Sequence, residues 1–323
     1  MKKTLFLLMI AIVASSCSNR AKQQQQAQQT QHVPQIPTVP IPHFDGKSAF
    51  NFLVQQVNFG PRNPNSDGHD QCLLYLQQEF SQYADSIELQ KFDIPGYNGT
   101  VLHLTNVIAH FNLRSKTRVL LSAHWDTRPR ADNEPGGPVD KPIPGANDGA
   151  SGVAVLLEMA RDFKQNPPPE GVDMILWDGE DYGKEGTLDY YFLGSKYWAA
   201  TKPFSYQPIF AINLDMVGDK ELTLPKEGFS VQYAPDIVDL VWKTAAEMGV
   251  TQFRDRVGDP VYDDHLQLDN VGIKAIDIID FAYPDQTNRY WHTLEDTPDK
   301  CSPESLSAVG RVLLQVLYRK IPL

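Results

Sequence analysis

The sequence predicts an α/β protein, a single three-layer domain with a central mixed, mostly parallel twisted sheet and helices on both faces. From residue 44 onward, short apolar runs alternate with amphipathic helical segments, which is the pattern of such layered folds. Several runs are apolar throughout, as in strands buried on both faces of a sheet. Polar residues directly follow four of the runs, and ligands of these folds bind beyond the carboxyl ends of the strands.

Residues 1–16 have the layout of a signal peptide. Two lysines precede an apolar run over 5–13 and then small residues. The run is shorter than the ~20 residues that a transmembrane helix needs. Cys17 resembles the lipidation site of a bacterial lipoprotein, although Ala14 stands where such sites usually carry leucine. We therefore expect an exported lipoprotein of the cell envelope, facing the periplasm or the cell surface, with plain secretion as the alternative.

Residues 17–43 contain a glutamine run followed by a proline-rich stretch. This composition cannot form a packed core, so we predict a tether that is first flexible and then semi-rigid. A disordered segment without a spacing role is the alternative. A single folded domain is predicted over residues 44–323, and membrane attachment is expected through the lipidated N-terminus only.

The first half of the domain opens with two capped helices. Asp45 can cap a helix whose apolar stripe includes Phe50 and Leu53, and Ser66 or Asp67 can cap the next helix. Strands are predicted over residues 86–94, 105–111 and 119–123.

The second half continues the alternation of helices and strands. The glycine-rich segment PGANDGASG, residues 144–152, precedes an apolar helix that ends before Pro167. The remaining predicted elements are strands at 172–177, 210–214 and 273–279, a helix at 236–248, and a last helix from the cap Ser302, with Pro303 in its first turn, to Tyr318.

Composition narrows the choice of partners. The 323 residues carry a formal net charge of −11, which argues against nucleic acid or an anionic membrane surface as the main partner. The excess of acidic residues also has a simpler explanation, namely that it keeps the protein soluble. Cys72 and Cys301 could pair in an oxidising compartment, but two buried, inert thiols are the preferred interpretation.

Potential metal ligands follow the interior strands. His124 and Asp126 stand two residues apart, so on a continuing strand they share a face, as a ligand and a carboxylate that fixes its tautomer would. Adjacent Glu180 and Asp181 would repel each other when buried unless a cation lies between them. Each pattern also has an interpretation without a metal. A histidine two residues before an aspartate is common in sequences, and adjacent Glu180 and Asp181 could form a solvated acidic turn.

Three further residues complete the set. Asp148 lies in the glycine-rich turn, Asp215 ends an apolar strand, and His292 follows Trp291 in a loop. A lone histidine in a loop is usually a surface residue. Taken together, however, carboxylates and imidazoles at strand ends are the residue types of a zinc site.

The order of these motifs resembles one known superfamily. HWD, GANDGASG, DGED, NLDMVG, DDH and YWHTLEDT occur in the order found in the zinc aminopeptidase and glutaminyl cyclase superfamily, and GPRNPNSDGH resembles its entry loop. The resemblance covers residues 44–320. In the two-zinc aminopeptidases the ligands would correspond to His124, Asp148 (bridging), Asp181, Asp215 and His292. In the cyclases a single zinc would be held by Asp148, Asp181 and His292.

Other residues resemble the bacterial cyclases. Trp291 before the metal histidine resembles a cyclase pocket wall, and HWDTRPRAD followed by PIPGANDGASG is similar to the bacterial group. The acid after Glu180 is Asp181, where aminopeptidases commonly have a second glutamate. Animal cyclases carry a tryptophan shortly after this pair, and here Tyr191 is the candidate for that part of the pocket.

The resemblance implies a glutaminyl-peptide cyclotransferase that converts N-terminal glutamine to pyroglutamate and releases ammonia, with one Zn²⁺. Glu180 would carry the proton, while Asp215 and Asp263 would support it or orient the amine. The expected partners are peptides or proteins with N-terminal glutamine, and the expected state is a monomer. One alternative is a two-zinc aminopeptidase, in which His124 and Asp215 bind a second metal. Another is a catalytically silent surface-binding module on the same fold.

Overall fold

The computed structural model describes residues 39–184 and 186–321. The predicted signal peptide, Cys17 and the tether up to residue 38 lie outside the described residues. Within the described part of the chain, no helix combines the length and apolarity needed to cross a bilayer.

The helices and strands alternate along the chain as predicted. The strands are β1 (Ser86–Pro95), β2 (Val101–Phe111), β3 (Arg118–His124), β4 (Gly171–Trp177), β5 (Ala211–Asp215), β6 (Leu224–Lys226), β7 (Phe253–Val257) and β8 (Ala275–Ile279). The α-helices are α1 (Gly46–Asn58), α2 (Asp67–Tyr83), α3 (Ala150–Gln165), α4 (Leu193–Thr201), α5 (Gly228–Tyr233), α6 (Pro235–Glu247), α7 (His265–Asp269) and α8 (Pro303–Arg319). Short 3₁₀ turns cover Leu188–Tyr190 and Pro298–Lys300.

The central sheet has six strands in the order β1-β2-β4-β3-β5-β8. Strands β4, β3, β5 and β8 run parallel, whereas β1 pairs antiparallel with β2 and β2 antiparallel with β4. The mixed, mostly parallel sheet is therefore confirmed. Since the four parallel strands share a direction, their carboxyl ends meet at one edge of the sheet.

Helices cover both faces of this sheet, as predicted. Alternate residues of β3 point to opposite faces, and they belong to different apolar clusters. Leu121 packs in the larger cluster, which includes residues of α1, α3 and α8. Leu120 packs in the smaller cluster with Trp198 of α4 and Leu268 of α7. Because both faces are covered, β3 is buried along almost its whole length.

The predicted helix caps are present. The Asp45 carboxylate accepts a hydrogen bond from the Lys47 backbone N–H at 2.9 Å, Ser66 accepts from His69, and Ser302 accepts from Ser305. Two strand boundaries differ by more than one residue: β2 begins at Val101 and not at residue 105, and the strand predicted from Ile273 begins at Ala275. The Ile273 N–H instead donates to the Leu268 carbonyl at the end of α7.

Five elements were missed in the sequence: α4, β6, α5, β7 and α7. Four of the five residues of β7 are exposed, so its sequence shows no apolar alternation. Strand β6 has only 3 residues. Short elements such as these depend on tertiary contacts more than on local pattern.

The two cysteines of the described domain are free and buried, so the preferred interpretation is confirmed over a disulfide. Burial raises the pKa of the Cys72 thiol to about 12. Burial likewise raises the pKa of Cys301 well above its usual range. Thiols with a raised pKa carry little thiolate at neutral pH, and they are correspondingly unreactive.

Candidate metal centre

A glycine-rich turn places Asp148 at the carboxyl edge of the sheet. Gly145 and Gly149 have φ of +66° and +99°, a region that favours glycine. A Cβ on Gly149 would lie 2.4 Å from the Asp126 carbonyl oxygen. The glycine therefore allows the turn to approach the end of β3 closely, and helix α3 begins directly afterwards.

Arg62, which lies in the segment GPRNPNSDGH, holds this turn through hydrogen bonds to its backbone carbonyls. Its guanidinium is completely buried and donates hydrogen bonds to the carbonyls of Trp125, Pro144 and Gly145. These contacts satisfy the carbonyl groups of the turn, and through Arg62 they connect the segment before α2 to the site.

Asp126 holds the turn after β4, which carries Asp181, the second potential metal ligand. Its carboxylate accepts hydrogen bonds from the backbone N–H groups of Glu180 at 3.0 Å and Asp181 at 3.3 Å. The sequence suggested instead that Asp126 fixes the tautomer of His124. The two side chains are 3.6 Å apart between Oδ1 and Nδ1, which is longer than a hydrogen bond. Asp126 therefore acts mainly on the backbone of the turn after β4.

The third ligand segment carries His292 in a strained conformation. Its φ is +56°, which costs about 1–2 kcal/mol for a residue with a Cβ. The imidazole stacks on Trp291 with 3.8 Å between ring centroids. Met216, directly after Asp215, also has a positive φ of +47°. Such strain concentrates where a site fixes its side chains.

Asp148, Asp181 and His292 converge on one point. His292 Nε2 lies 3.5 Å from Asp148 Oδ2 and 3.4 Å from Asp181 Oδ2. One ligand atom from each residue lies within 4.8 Å of the others, and all three residues are buried. Asp181 Oδ2 has no hydrogen-bond partner among the described residues. A buried, unpartnered carboxylate oxygen facing an imidazole and another carboxylate fits a Zn²⁺ ion.

A second set of potential ligands shares Asp148. His124 Nε2 lies 3.2 Å from Asp148 Oδ1 and 3.2 Å from Asp215 Oδ1. The five ligand candidates from the sequence therefore lie in two overlapping groups of three, with Asp148 common to both.

Arg128 is a site residue that sequence reasoning missed. Its Nη1 donates to Asp181 Oδ1 at 2.5 Å, and its Nη2 donates to the Tyr191 hydroxyl at 3.0 Å. The guanidinium thus occupies one carboxylate oxygen of Asp181 and leaves the other for a metal ion. The motif HWDTRPRAD contains this arginine, but its partner lies 53 positions away.

Glu180 stands beside both sets. Its Oε2 is 3.8 Å from His124 Nδ1. Burial raises the pKa of Glu180 well above its usual range, and the charges of Asp181 and Asp263 act in the same direction, against His124. Burial also raises the pKa of Asp215 to about 7. A carboxyl group with a raised pKa is suited to accept and return protons near neutral pH.

Behind this edge lies a third buried group, formed by Asp263, His265 and Asp277. The side-chain Nδ2 of Asn213 lies 3.3 Å from both carboxylates and donates to each. A hydrogen-bond donor therefore already lies between these two acids. The group extends the acidic network behind Glu180 and Asp215.

A cavity of about 910 Å³ opens onto these residues. Of the candidates from the sequence, it is lined by Asp148, Glu180, Asp181, Tyr191, Asp215, Asp263, Trp291 and His292. His124 is buried beneath the cavity. The structure adds lining residues that the sequence did not suggest, among them Phe281, which packs against Trp291 at 4.9 Å between ring centroids.

A mixed sheet with a buried carboxylate–imidazole centre at its carboxyl edge, and a free carboxyl group beside that centre, defines the class of zinc-dependent peptidase-like enzymes. Residues 106–317 match Peptidase family M28. The chain belongs to this family.

Solved structures similar to this chain carry two kinds of name. A glutaminyl cyclase from Bacteroides thetaiotaomicron, bound to N-acetylhistamine, is 41% identical with a TM-score of 0.82, over 87% of this chain and 100% of that chain. A Zn-dependent exopeptidase from Parabacteroides distasonis is 37% identical with a TM-score of 0.83, over 87% of this chain and 100% of that chain.

Curated relatives are more distant and show the same division. Aminopeptidase YwaD of Bacillus subtilis is 23% identical over 69% of this chain. A glutaminyl-peptide cyclotransferase of Boiga dendrophila is 22% identical over 65% of this chain. The matched region spans 46% of the first relative and 63% of the second.

Proposed function

We propose that this protein is a glutaminyl-peptide cyclotransferase, which converts N-terminal glutamine of peptides or proteins to pyroglutamate and releases ammonia. The observation that carries the proposal is the free carboxyl group of Glu180 beside three converging ligands, in a cavity walled by Trp291 and Tyr191. Similarity to several bacterial structures named glutaminyl cyclase, at 36–41% identity, supports it.

A zinc ion held by Asp148, Asp181 and His292 would supply a Lewis acid that polarises the side-chain amide of the substrate. Glu180 accepts a proton from the α-amine as that nitrogen attacks the amide carbon. The new C–N bond closes the ring, the bond to the amide nitrogen breaks, and Glu180 returns the proton to the departing ammonia. One carboxyl group therefore serves first as base and then as acid.

The other residues orient the substrate. Asp215 and Asp263 line the cavity beside Glu180 and would hold the amine or the amide nitrogen by hydrogen bonds. Trp291 and Tyr191 would pack against the aliphatic part of glutamine and exclude water, which favours cyclisation over hydrolysis. Placing the amine next to the amide makes the attack intramolecular, and such placement can supply roughly 7–11 kcal/mol of the barrier.

The test is a cyclisation assay with metal analysis of the same sample. A glutamine-led peptide should release ammonia and yield a blocked N-terminus, with one zinc ion per chain. The matched control is the same peptide with an acetylated α-amine, which lacks the nucleophile and should remain unchanged. Release of free N-terminal amino acids without ammonia would contradict the proposal.

A two-zinc aminopeptidase is the second candidate, and one observation favours it. His124, Asp148 and Asp215 form a complete second ligand group, in which His124 and Asp215 would hold another metal while Glu180 activates water. Two zinc ions per chain together with amino-acid release would support this candidate over the first.

We also propose that the chain is exported and attached to the cell envelope through a lipid on Cys17, and that its catalytic domain is a monomer. Metabolic labelling with a radioactive fatty acid tests the attachment, since Cys17→Ala should abolish the label. Light scattering of residues 44–323 tests the oligomeric state.

A further inference from the structure

The turn that carries Asp148 is held from both sides by buried charged groups. Arg62 binds its carbonyls on one side. On the other side lies Asp296, a completely buried aspartate in the segment after His292. The reaction described above gives Asp296 no chemical role, so its burial requires another explanation.

Asp296 binds three successive N–H groups of the turn. Its carboxylate accepts from Asn147 N at 2.8 Å and from Asp148 N at 3.1 Å, one hydrogen bond on each oxygen. Its backbone carbonyl accepts from Ala146 N at 3.2 Å. A carboxylate that accepts backbone N–H bonds in a buried setting makes strong, directional contacts. Asp296 therefore fixes the N–H groups of the metal-binding turn, while Arg62 holds its carbonyls.

Asp296 is itself fixed to the segment that carries His292. Its N–H donates to the Thr293 carbonyl at 3.3 Å, directly after His292. The Tyr283 hydroxyl donates to Asp296 Oδ1 at 2.8 Å. The contacts of Asp296 thus join the turn that carries Asp148 to the segment that carries His292. Asp148 and Asp296 are 148 positions apart in the sequence.

We propose that Asp296 is a positioning residue that sets the distance between Asp148 and His292 and thereby the zinc affinity of the site. Both ligands lie on loops, and His292 has a strained backbone. Asp296 makes a direct hydrogen-bonded connection between their two segments. Groups that orient metal ligands typically contribute 10–100-fold to metal affinity. The proposal rests on the zinc site and not on the identity of the substrate.

Asp296→Asn tests the proposal with little change of shape. The amide keeps one acceptor oxygen but places an NH₂ group against one of the two backbone N–H groups. Asp219→Asn is the matched control, because Asp219 is also buried, accepts a backbone N–H from Glu221 at 3.1 Å, and lies outside the cavity lining. The zinc dissociation constant is measured by chelator competition, and the melting temperature of the zinc-free protein is measured in parallel.

We expect zinc binding to weaken about 10–100-fold in Asp296→Asn and less than threefold in Asp219→Asn, at similar melting temperatures of the zinc-free variants. Zinc affinity within twofold of wild type in Asp296→Asn would overturn the proposal, and so would equal weakening in the control. If Asp296→Asn does not fold, Tyr283→Phe removes one contact of Asp296 and should weaken zinc binding about three- to tenfold. An unchanged affinity in that variant would also overturn the proposal. Absence of cyclisation by the wild type would refute the proposed function while leaving this comparison valid.

Discussion

Glu180→Gln separates catalysis from metal binding. The backbone of Glu180 does not depend on its side chain, because the N–H donates to Asp126 and the carbonyl accepts from Phe192 N at 2.8 Å. The nearest basic atom to the carboxyl group is His124 Nδ1 at 3.8 Å. Glutamine has almost the same shape but cannot accept and return a proton. The variant should therefore fold and bind zinc as the wild type does.

The expected loss of activity follows from the role of the group. A positioned proton carrier contributes typically 10²–10⁴-fold, and each tenfold step corresponds to about 1.4 kcal/mol. The barrier should therefore rise by about 3–5 kcal/mol. Both kcat and kcat/KM should fall together, because proton transfer stabilises the transition state and not the bound substrate. The lost attraction to His124 is offset by relief from burying a charge, so the melting temperature should shift by no more than about 4 °C.

The assay measures ammonia release and zinc content on the same samples. Asp181→Asn is the matched control, since it makes the equivalent change one position along the chain but removes a metal ligand. It should lose zinc and activity together, whereas Glu180→Gln should lose activity alone. If Glu180→Gln retains one zinc ion and more than a tenth of the wild-type kcat, Glu180 is not the proton carrier.

Three further predictions concern the metal-binding turn, a buried aspartate of α3 and the arginine that contacts Asp181. Gly149→Ala should destabilise the fold by more than about 2 kcal/mol and weaken zinc binding, whereas Gly249→Ala, also at positive φ but with open space around its Cβ position, should cost about 1 kcal/mol; urea denaturation measures both. Burial raises the pKa of Asp162 to about 7, so its folded form holds a proton that the unfolded chain releases above pH 4, and stability falls as pH rises from about 4 to 7. Asp162→Asn should therefore stabilise the protein by about 2 kcal/mol more at pH 8 than at pH 5, and equal gains would contradict this. Arg128→Lys keeps the charge but cannot bind Asp181 and a second group in the same geometry, so kcat/KM should fall about tenfold with zinc retained; an unchanged kcat/KM would show that the guanidinium fork is dispensable.

The sequence predicted the centre of the fold better than its margins. Strands β3 and β4 are buried along their length, so their composition alone identifies them, and the helix caps at Asp45 and Ser302 mark boundaries through local hydrogen bonds. Strand β7 is mostly exposed, and its residues show no pattern. What decides such an element is the pairing with β6, which local sequence does not encode.

The site shows the same division between local and distant information. Ligand candidates such as Asp148 and His292 could be identified because each stands in a distinctive short motif. Arg128 and Asp296 could not be assigned a role, although both lie within quoted motifs, because their partners are 53 and 148 positions away. Residues that pair across distant segments have no fixed spacing in the sequence by which the pair could be recognised. The roles of these supporting groups follow from their contacts in the folded structure.

The outer strand β1 limits how a substrate can be recognised. It pairs on one side only, with β2, and exposes Glu88, Lys91 and Asp93 before ending at Pro95. Charged residues and proline on an edge strand disfavour the pairing of another extended polypeptide with it. An extended polypeptide therefore gains no backbone ladder at β1, and under the proposed function substrate recognition falls to the side chains that line the cavity.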